Sequence, residues 1–366
     1  MTPRLVILNP GSTSTKLGIF HGTTPQVAET LRHPASTLRT FPHLTDQVPW
    51  REALVRQWLH DHKVRVDEVD AIVVRGGLMA PVPSGILAVD EAMLEDLSSC
   101  RFGAHASNLG AIIARRLAPA PFPVFTADPV VVDEMTPLAR FSGHPDIPRR
   151  SIFHALNHKA VIRRAAADLG RRIDDLRLVV AHLGGGISVA AHDRGRAVDV
   201  NNALDGDGPF SPERSGGLPV CGVLAWCAAG LSPREIRRKV VGEGGLVAYL
   251  GSADAREAAQ RMEAGDDDAA LVLQAMAYQV AKEIGAMAVV LGTQPDAILL
   301  TGGLAYLEPL VDWIQERVAF LAPVLVYAGE DEMLALAEAG VAALTGTAPV
   351  QRYAEARHIF QDKLHG

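Results

Sequence analysis

A short apolar run, a turn crowded with small residues and a second apolar run occur near the start of this chain and recur near its middle. In the first copy residues 5–8 are apolar, Asn9-Pro10-Gly11-Ser12-Thr13-Ser14-Thr15 is a dense turn signal, and residues 17–20 resume the apolar run. In the second, residues 178–181 lead into His182-Leu183-Gly184-Gly185-Gly186, and residues 187–191 follow. Short apolar runs bounded by turn residues read as buried strands, so each copy predicts strand, turn, strand. Identity between the copies is slight, but each is followed by alternating helical and strand patterns. Repetition of such a unit predicts two related α/β domains.

The remaining pattern fits that plan. Residues 51–63 place Leu54, Val55, Trp58 and Leu59 on one helical face, and residues 71–74 read as a buried strand broken by Arg75-Gly76-Gly77. Residues 106–117 and 154–169 read as helices, the second closed by Gly170. Strands are expected at 123–126, ending near Asp128, at 297–300, ending at Thr301-Gly302-Gly303, and at 324–327, before Glu330-Asp331-Glu332. Leu273, Ala277, Val280, Ile284 and Met287 form a long stripe of the kind that faces a core or a second subunit. The charged tail from Gln351 reads as an exposed helix. With 366 residues, 48% of them hydrophobic and 21% charged, the chain can bury two cores, and no low-complexity linker divides it.

Composition narrows the functional classes. A net charge of −7 argues against a dedicated nucleic-acid binder. The cysteines are three, Cys100, Cys221 and Cys227, with no Cys-x-x-Cys pair, which fits a reducing compartment. No apolar run is long enough for a membrane span or a signal-peptide core, so a soluble cytoplasmic protein is expected.

The two small-residue turns present rows of backbone N–H groups, and such nests bind phosphates. Ser12, Ser14 and Lys16 add donors to the first. One such turn alone is most simply a hairpin; two at matching places favour a phosphorylated ligand. Neither is a Walker A loop or a dinucleotide fingerprint. Arg75 follows a strand and Arg214 lies in a loop; the planar fork of arginine grips carboxylates and phosphoryl groups, although surface arginines are common. Asp128 and Glu332 follow strands, where carboxylates serve as helix caps or as Mg²⁺ ligands. His154 and His158 stand four apart, but without the glutamate of His-Glu-x-x-His or a third ligand they make a poor zinc pair.

Taken together, these segments resemble the acetate/butyrate kinase family. The resemblance runs from Leu8-Asn9-Pro10-Gly11-Ser12-Thr13-Ser14-Thr15-Lys16 to Gly329-Glu330-Asp331-Glu332-Met333-Leu334-Ala335. Between these lie Arg75-Gly76-Gly77-Leu78, Gly103-Ala104-His105-Ala106-Ser107-Asn108, Ser151-Ile152-Phe153-His154-Ala155-Leu156-Asn157-His158-Lys159, Asp199-Val200-Asn201-Asn202-Ala203-Leu204-Asp205-Gly206 and Gly208-Pro209-Phe210-Ser211-Pro212-Glu213-Arg214-Ser215-Gly216-Gly217. Their occurrence in this order is specific, and the match looks closest to the butyrate and branched-chain fatty acid kinases.

The resemblance implies two duplicated actin-like, sugar-kinase-like (ribonuclease H-like) α/β domains with a nucleotide cleft between them. The expected domains are residues 1–152, rejoined by 333–366, and residues 153–332. The implied cofactors are ATP/ADP and Mg²⁺, the implied substrate a short-chain fatty acid, and the implied assembly a homodimer or larger. By the same resemblance Arg75 and Arg214 bind the acceptor carboxylate and the transferring phosphoryl group, with His105 and Phe153 on the substrate side. His154 stabilises the transition state. Asn9, Ser12, Ser14 and Lys16 form one phosphate turn, and His182, Gly184, Gly185 and Gly186 the other. Asp128 and Glu332 serve Mg²⁺ and phosphate positioning, Asp128 being counted as catalytic, and Asp254, Arg256, Gly302 and Gly303 the adenosine side. Acetate kinases carry an asparagine where this chain has Gly185, a bulkier residue than Ala104 and an aromatic in place of Ala255. The smaller Ala104 implies a roomier acyl pocket. The competing expectations are an acetate or propionate kinase, a nucleotide-gated switch of the same fold, and a nucleotide-binding scaffold without chemistry.

Overall fold

The computed structural model describes residues 2–357. The chain divides into two compact units, Met1–Val132 with Asp331–Gly366, and Asp133–Glu330. Residues 133–152, expected with the first domain, fall in the second unit. There the Thr136 N–H donates to the Val198 carbonyl at 3.0 Å and Arg149 pairs with Asp199 at 2.8 Å.

The first unit is built on β1 (Arg4–Pro10), β2 (Ser14–His21), β3 (Thr24–Arg32), β4 (Ala71–Val74), β5 (Ile86–Ala88), β6 (Val124–Ala127) and β12 (Val350–Arg352), in the order β12-β5-β6-β4-β1-β2-β3. The second holds β7 (Arg177–Leu183), β8 (Ile187–Asp193), β9 (Arg196–Val200), β10 (Ala297–Gly302) and β11 (Val324–Ala328), in the order β11-β10-β7-β8-β9. The duplication is explicit in the strand senses. β1 pairs antiparallel with β2, β2 antiparallel with β3, β1 parallel with β4 and β4 parallel with β6. β7, β8, β9, β10 and β11 repeat those relations in the same sequence. Both units therefore carry the sugar-kinase-like, ribonuclease H-like arrangement. Local sequence explains the hairpins: in the first, Gly11 donates to the Ser14 carbonyl at 2.7 Å, leaving a turn shorter than the sequence signal.

Central strands are buried on both faces, as their unbroken apolar runs require: Leu5, Ile7, Leu8, Ile72, Val73 and Val74 are 0% exposed. The helix Glu332–Thr345 covers β1, β4 and β6. In the second unit Asp267–Val290 covers β7 and β8, and Leu273, Ala277, Val280, Ile284 and Met287 are all core residues. The helix Ala155–Asp168 covers the other face, against β7 and β10. Gly170 follows its end with φ +61° and donates to the Ala167 carbonyl at 3.1 Å, as a glycine stop should.

The start of the tail departs from expectation. Val350–Arg352 is a strand parallel to β5. Tyr353 is 0% exposed, donates its hydroxyl to the buried Asp96 and accepts from the Ala80 N–H at 2.9 Å. A charged-looking tail is thus anchored by one buried phenol, which no helical periodicity reveals. Residues 353–357 are helical, as expected of the tail, and the rest of that expected helix lies outside the described residues. No helix among them is long and apolar enough to cross a membrane, and all three cysteines are free.

Candidate functional site

In the first unit the carboxyl ends of three adjacent parallel strands lie side by side, the position where open α/β sheets present ligand groups. Asn9 is near the end of β1, Arg75 directly follows β4 and Asp128 directly follows β6. The Arg75 N–H donates to the Leu8 carbonyl at 3.1 Å, which fixes the strand exit. Glu332, 4% exposed in the first turn of its helix, accepts from Asn9 Nδ2 at 2.7 Å and pairs with Arg75 at 3.3 Å. Lys16 is the direct cross-strand partner of Asn9, so the two side chains share a sheet face. Ser12 is exposed in the hairpin turn and Ser14 half-buried beside it.

The two expected magnesium carboxylates differ in their surroundings. Both Glu332 oxygens are engaged, one of them by a guanidinium that repels a dication. Asp128, with φ +39°, accepts at Oδ1 from the Ser84 hydroxyl at 2.6 Å and the Gly85 N–H at 2.8 Å. Its Oδ2 has no protein partner among the described residues. A hard dication needs only one or two carboxylates beside phosphate oxygens, so Asp128 fits a Mg²⁺ ligand and Glu332 acts as the anchor of Arg75 and Asn9. No group of three or more His, Cys, Asp or Glu among the described residues forms a metal cage.

His105 caps a short 3₁₀ turn, with Nδ1 2.7 Å from the Ser107 hydroxyl. Asn108 in that turn donates to the Gly103 carbonyl at 2.9 Å and accepts from the Leu78 N–H at 2.8 Å. It ties the His105 loop to the Arg75 loop. Gly77 approaches so closely that a Cβ there would lie 2.6 Å from Asn108 Cα.

In the second unit β7, β10 and β11 end together in the same way. A cavity of about 680 Å³ opens at these ends, lined by Gly184, Gly185, Asp254, Arg256, Gly303, Tyr306 and Glu330 among others. Its size suits a nucleoside-sized ligand. Gly302, at φ +91°, exchanges backbone hydrogen bonds with Gly329 at 3.1 and 3.0 Å; a Cβ there would collide with the Leu183 carbonyl. Asp254 caps the helix Ala255–Glu263 by accepting from the Arg256 N–H at 2.9 Å. Hydrogen bonds from the Arg256 side chain and N–H hold the Asp254 carboxyl below the usual range. Arg214 donates to the Ala203 carbonyl, and its guanidinium lies where a side chain on Gly186 would otherwise be. Ser211 donates to the Gly185 carbonyl at 2.7 Å, so the loop bearing Arg214 grips the second turn.

His154 stands at the N-cap position of the helix Ala155–Asp168, its ring stacked on His182 at 3.8 Å and 12°. His182 lies between Asn157 Oδ1 at 2.9 Å and Glu330 Oε1 at 3.2 Å. His154 Nδ1 is 2.9 Å from the Ser188 hydroxyl, which is 3.0 Å from His158 Nε2. His158 Nδ1 is in turn 3.1 Å from His192 Nε2. Phe153, expected on the substrate side, is 1% exposed and packs edge-on against His158 at 5.1 Å. It supports the histidine row and does not line the cavity.

Burial above all, then neighbouring positive charge, holds His158 and His192 well below the ordinary histidine pKa. Burial and then Arg51 bring His33 to about 4. These groups are neutral when folded and take up protons on unfolding below the ordinary histidine value of 6.5. Stability should be complete above that value and fall as pH drops toward the folded values. Each histidine contributes a slope on the order of 1 kcal/mol per pH unit in that window. Urea midpoints measured at about pH 7.5 and about pH 5.5 test this, and His158→Gln should flatten the difference.

Several residues at these sites escaped the sequence reading. Ser188 is the second residue of the strand that follows the second turn, where a serine carries no signal. Tyr306, 69% exposed, places its hydroxyl beside Gly329 and supplies the aromatic surface that Ala255 does not. Its only sequence signal was its place just after the Gly302-Gly303 pair.

Residues 145–313 match the Acetokinase family. Among solved structures, the acetate kinase of Porphyromonas gingivalis superimposes with a TM-score of 0.72 at 21% identity, covering 93% of this chain and 100% of that one. A propionate kinase from Francisella tularensis subsp. tularensis SCHU S4 gives 0.72 at 21% identity, covering 92% and 98%. The acetate kinase of Entamoeba histolytica gives 0.70 at 17%, covering 92% and 98%. The chain has the fold of these kinases.

Proposed function

We propose that this protein is an ATP-dependent carboxylate kinase that phosphorylates a short-chain fatty acid, butyrate or isobutyrate, to its acyl phosphate, and forms ATP in reverse. The observation that carries the reading is the Acetokinase match over residues 145–313, within which lie His154, the second glycine turn, Arg214 and the Asp254–Arg256 rim of the cavity. A carboxylate is already ionised, so the reaction needs no general base. It needs alignment and neutralisation of spreading negative charge. In this reading Arg75 orients the acceptor carboxylate, Arg214 neutralises the transferring phosphoryl group, and His154 donates a hydrogen bond to one of its oxygens. The cavity holds adenosine, with Gly184 and Gly185 presenting N–H groups to phosphate. Bound Mg²⁺, with Asp128 as its protein ligand, would neutralise charge on the phosphates.

Acyl preference rests on the small Ala104 beside His105. The second reading is an acetate or propionate kinase, favoured by the named activities of the structural neighbours. One methylene changes discrimination by only about 1–3 kcal/mol, so chain length is a matter for assay. The protein is incubated with ATP, Mg²⁺, hydroxylamine and a panel of straight and branched acids, and acyl hydroxamate is scored. The expected signal peaks at four or five carbons. A peak at two or three carbons establishes the second reading, and ATP turnover indifferent to acid indicates a switch ATPase.

A further inference from the structure

Arg51, on the helix Val48–Asp61 of the first unit, is 1% exposed. Buried guanidinium groups are ordinarily paired with a carboxylate, since an unpaired buried charge is costly. Arg51 has no carboxylate partner among the described residues. Its Nε donates to Gln47 Oε1 at 3.0 Å, and its terminal nitrogens are given over to the turn between β1 and β2. Nη1 reaches the carbonyls of Gly11 at 3.0 Å and Ser14 at 3.2 Å and the Thr15 hydroxyl at 3.1 Å, while Nη2 reaches the Ser12 carbonyl at 3.3 Å. One side chain thus gathers three carbonyls of a single turn. Burial lowers its pKa to about 10, so it remains a cation at neutral pH.

In a trans peptide the C=O and the following N–H point in opposite directions. Drawing the Gly11 and Ser12 carbonyls inward therefore turns the N–H groups of Ser12 and Thr13 outward. Both residues are exposed, and neither N–H donates to a protein acceptor among the described residues. Successive outward N–H groups backed by a buried positive charge make an anion receptor.

The geometry points to Arg51 as the positioning residue of the first turn: it locks the carbonyls of Gly11, Ser12 and Ser14 inward so that the Ser12 and Thr13 N–H groups bind the outer phosphates of ATP. The choice of ATP as the anion rests on the carboxylate-kinase reading; the anion receptor itself does not. Lysine at this position keeps a cation but cannot fork onto three carbonyls, so Arg51→Lys separates positioning from charge.

The test compares binding of ATP with binding of AMP, which lacks the two outer phosphates, by calorimetry on the full-length protein. In Arg51→Lys the ATP dissociation constant should rise about tenfold or more while that of AMP stays within about twofold. A merely structural role would lower the thermal midpoint and weaken both ligands alike. Gln47→Leu removes only the Nε tether and should shift ATP about threefold in the same selective way, which keeps the test decisive should Arg51→Lys fail to fold. Unchanged ATP affinity, or equal loss for ATP and AMP, in whichever variant folds would overturn the assignment. If the wild-type protein makes no acyl hydroxamate yet Arg51→Lys still loses ATP selectively, the kinase reading fails and the role of Arg51 stands.

Discussion

Arg214→Ala should lower kcat by on the order of 10²–10³ while the second unit stays folded. The guanidinium sits against Gly186 at the second turn and is held there by the Ala203 carbonyl. A donor fixed in this way loses nothing to reorganisation as charge develops on a transferring group, which is why removing it costs turnover more than binding. Arg214→Lys should recover only part of the rate, because a point charge does not replace a planar fork. Steady-state ADP release with acid present, beside circular dichroism, checks this. Near-normal turnover in Arg214→Ala would remove the residue from the mechanism.

Glu332→Ala should be the most destabilising change at the first-unit site, by about 2–4 kcal/mol. It leaves the buried Asn9 amide and the partly buried Arg75 guanidinium without the carboxylate that both contact. Glu332→Gln keeps the shape and one acceptor oxygen and should cost less. Urea unfolding curves for the three proteins measure the series. A midpoint in Glu332→Ala equal to that of the wild type would show that the cluster contributes nothing to stability.

What the sequence disclosed, and what it did not, follows from the range of the forces involved. The hairpins β1–β2 and β7–β8 were legible because the turn residues that shape them lie within a few positions of one another. Their parallel partners β4 and β10 were legible as unbroken apolar runs, and Gly170 as a helix stop. Arg51 was illegible: arginine on a helix reads as surface, and only the turn's carbonyls, some forty positions upstream, make its burial tolerable. The strand Val350–Arg352 is three residues long and exists because β5 is there to pair with it. The row from His154 through Ser188 and His158 to His192 joins a helix to a strand across 30 or more positions, beyond the reach of any local pattern. Asp128 and Glu332 looked alike in sequence because both follow strands; their neighbours, Ser84 and Gly85 for one and Asn9 and Arg75 for the other, give them different work.

The acid dependence of phosphoryl transfer tests the central claim most directly. With ATP, Mg²⁺ and hydroxylamine, adding butyrate should produce butyryl hydroxamate in step with ADP, and omitting the acid should stop both. ADP formation at the same rate with and without any short-chain acid, and no hydroxamate with either, would contradict the account.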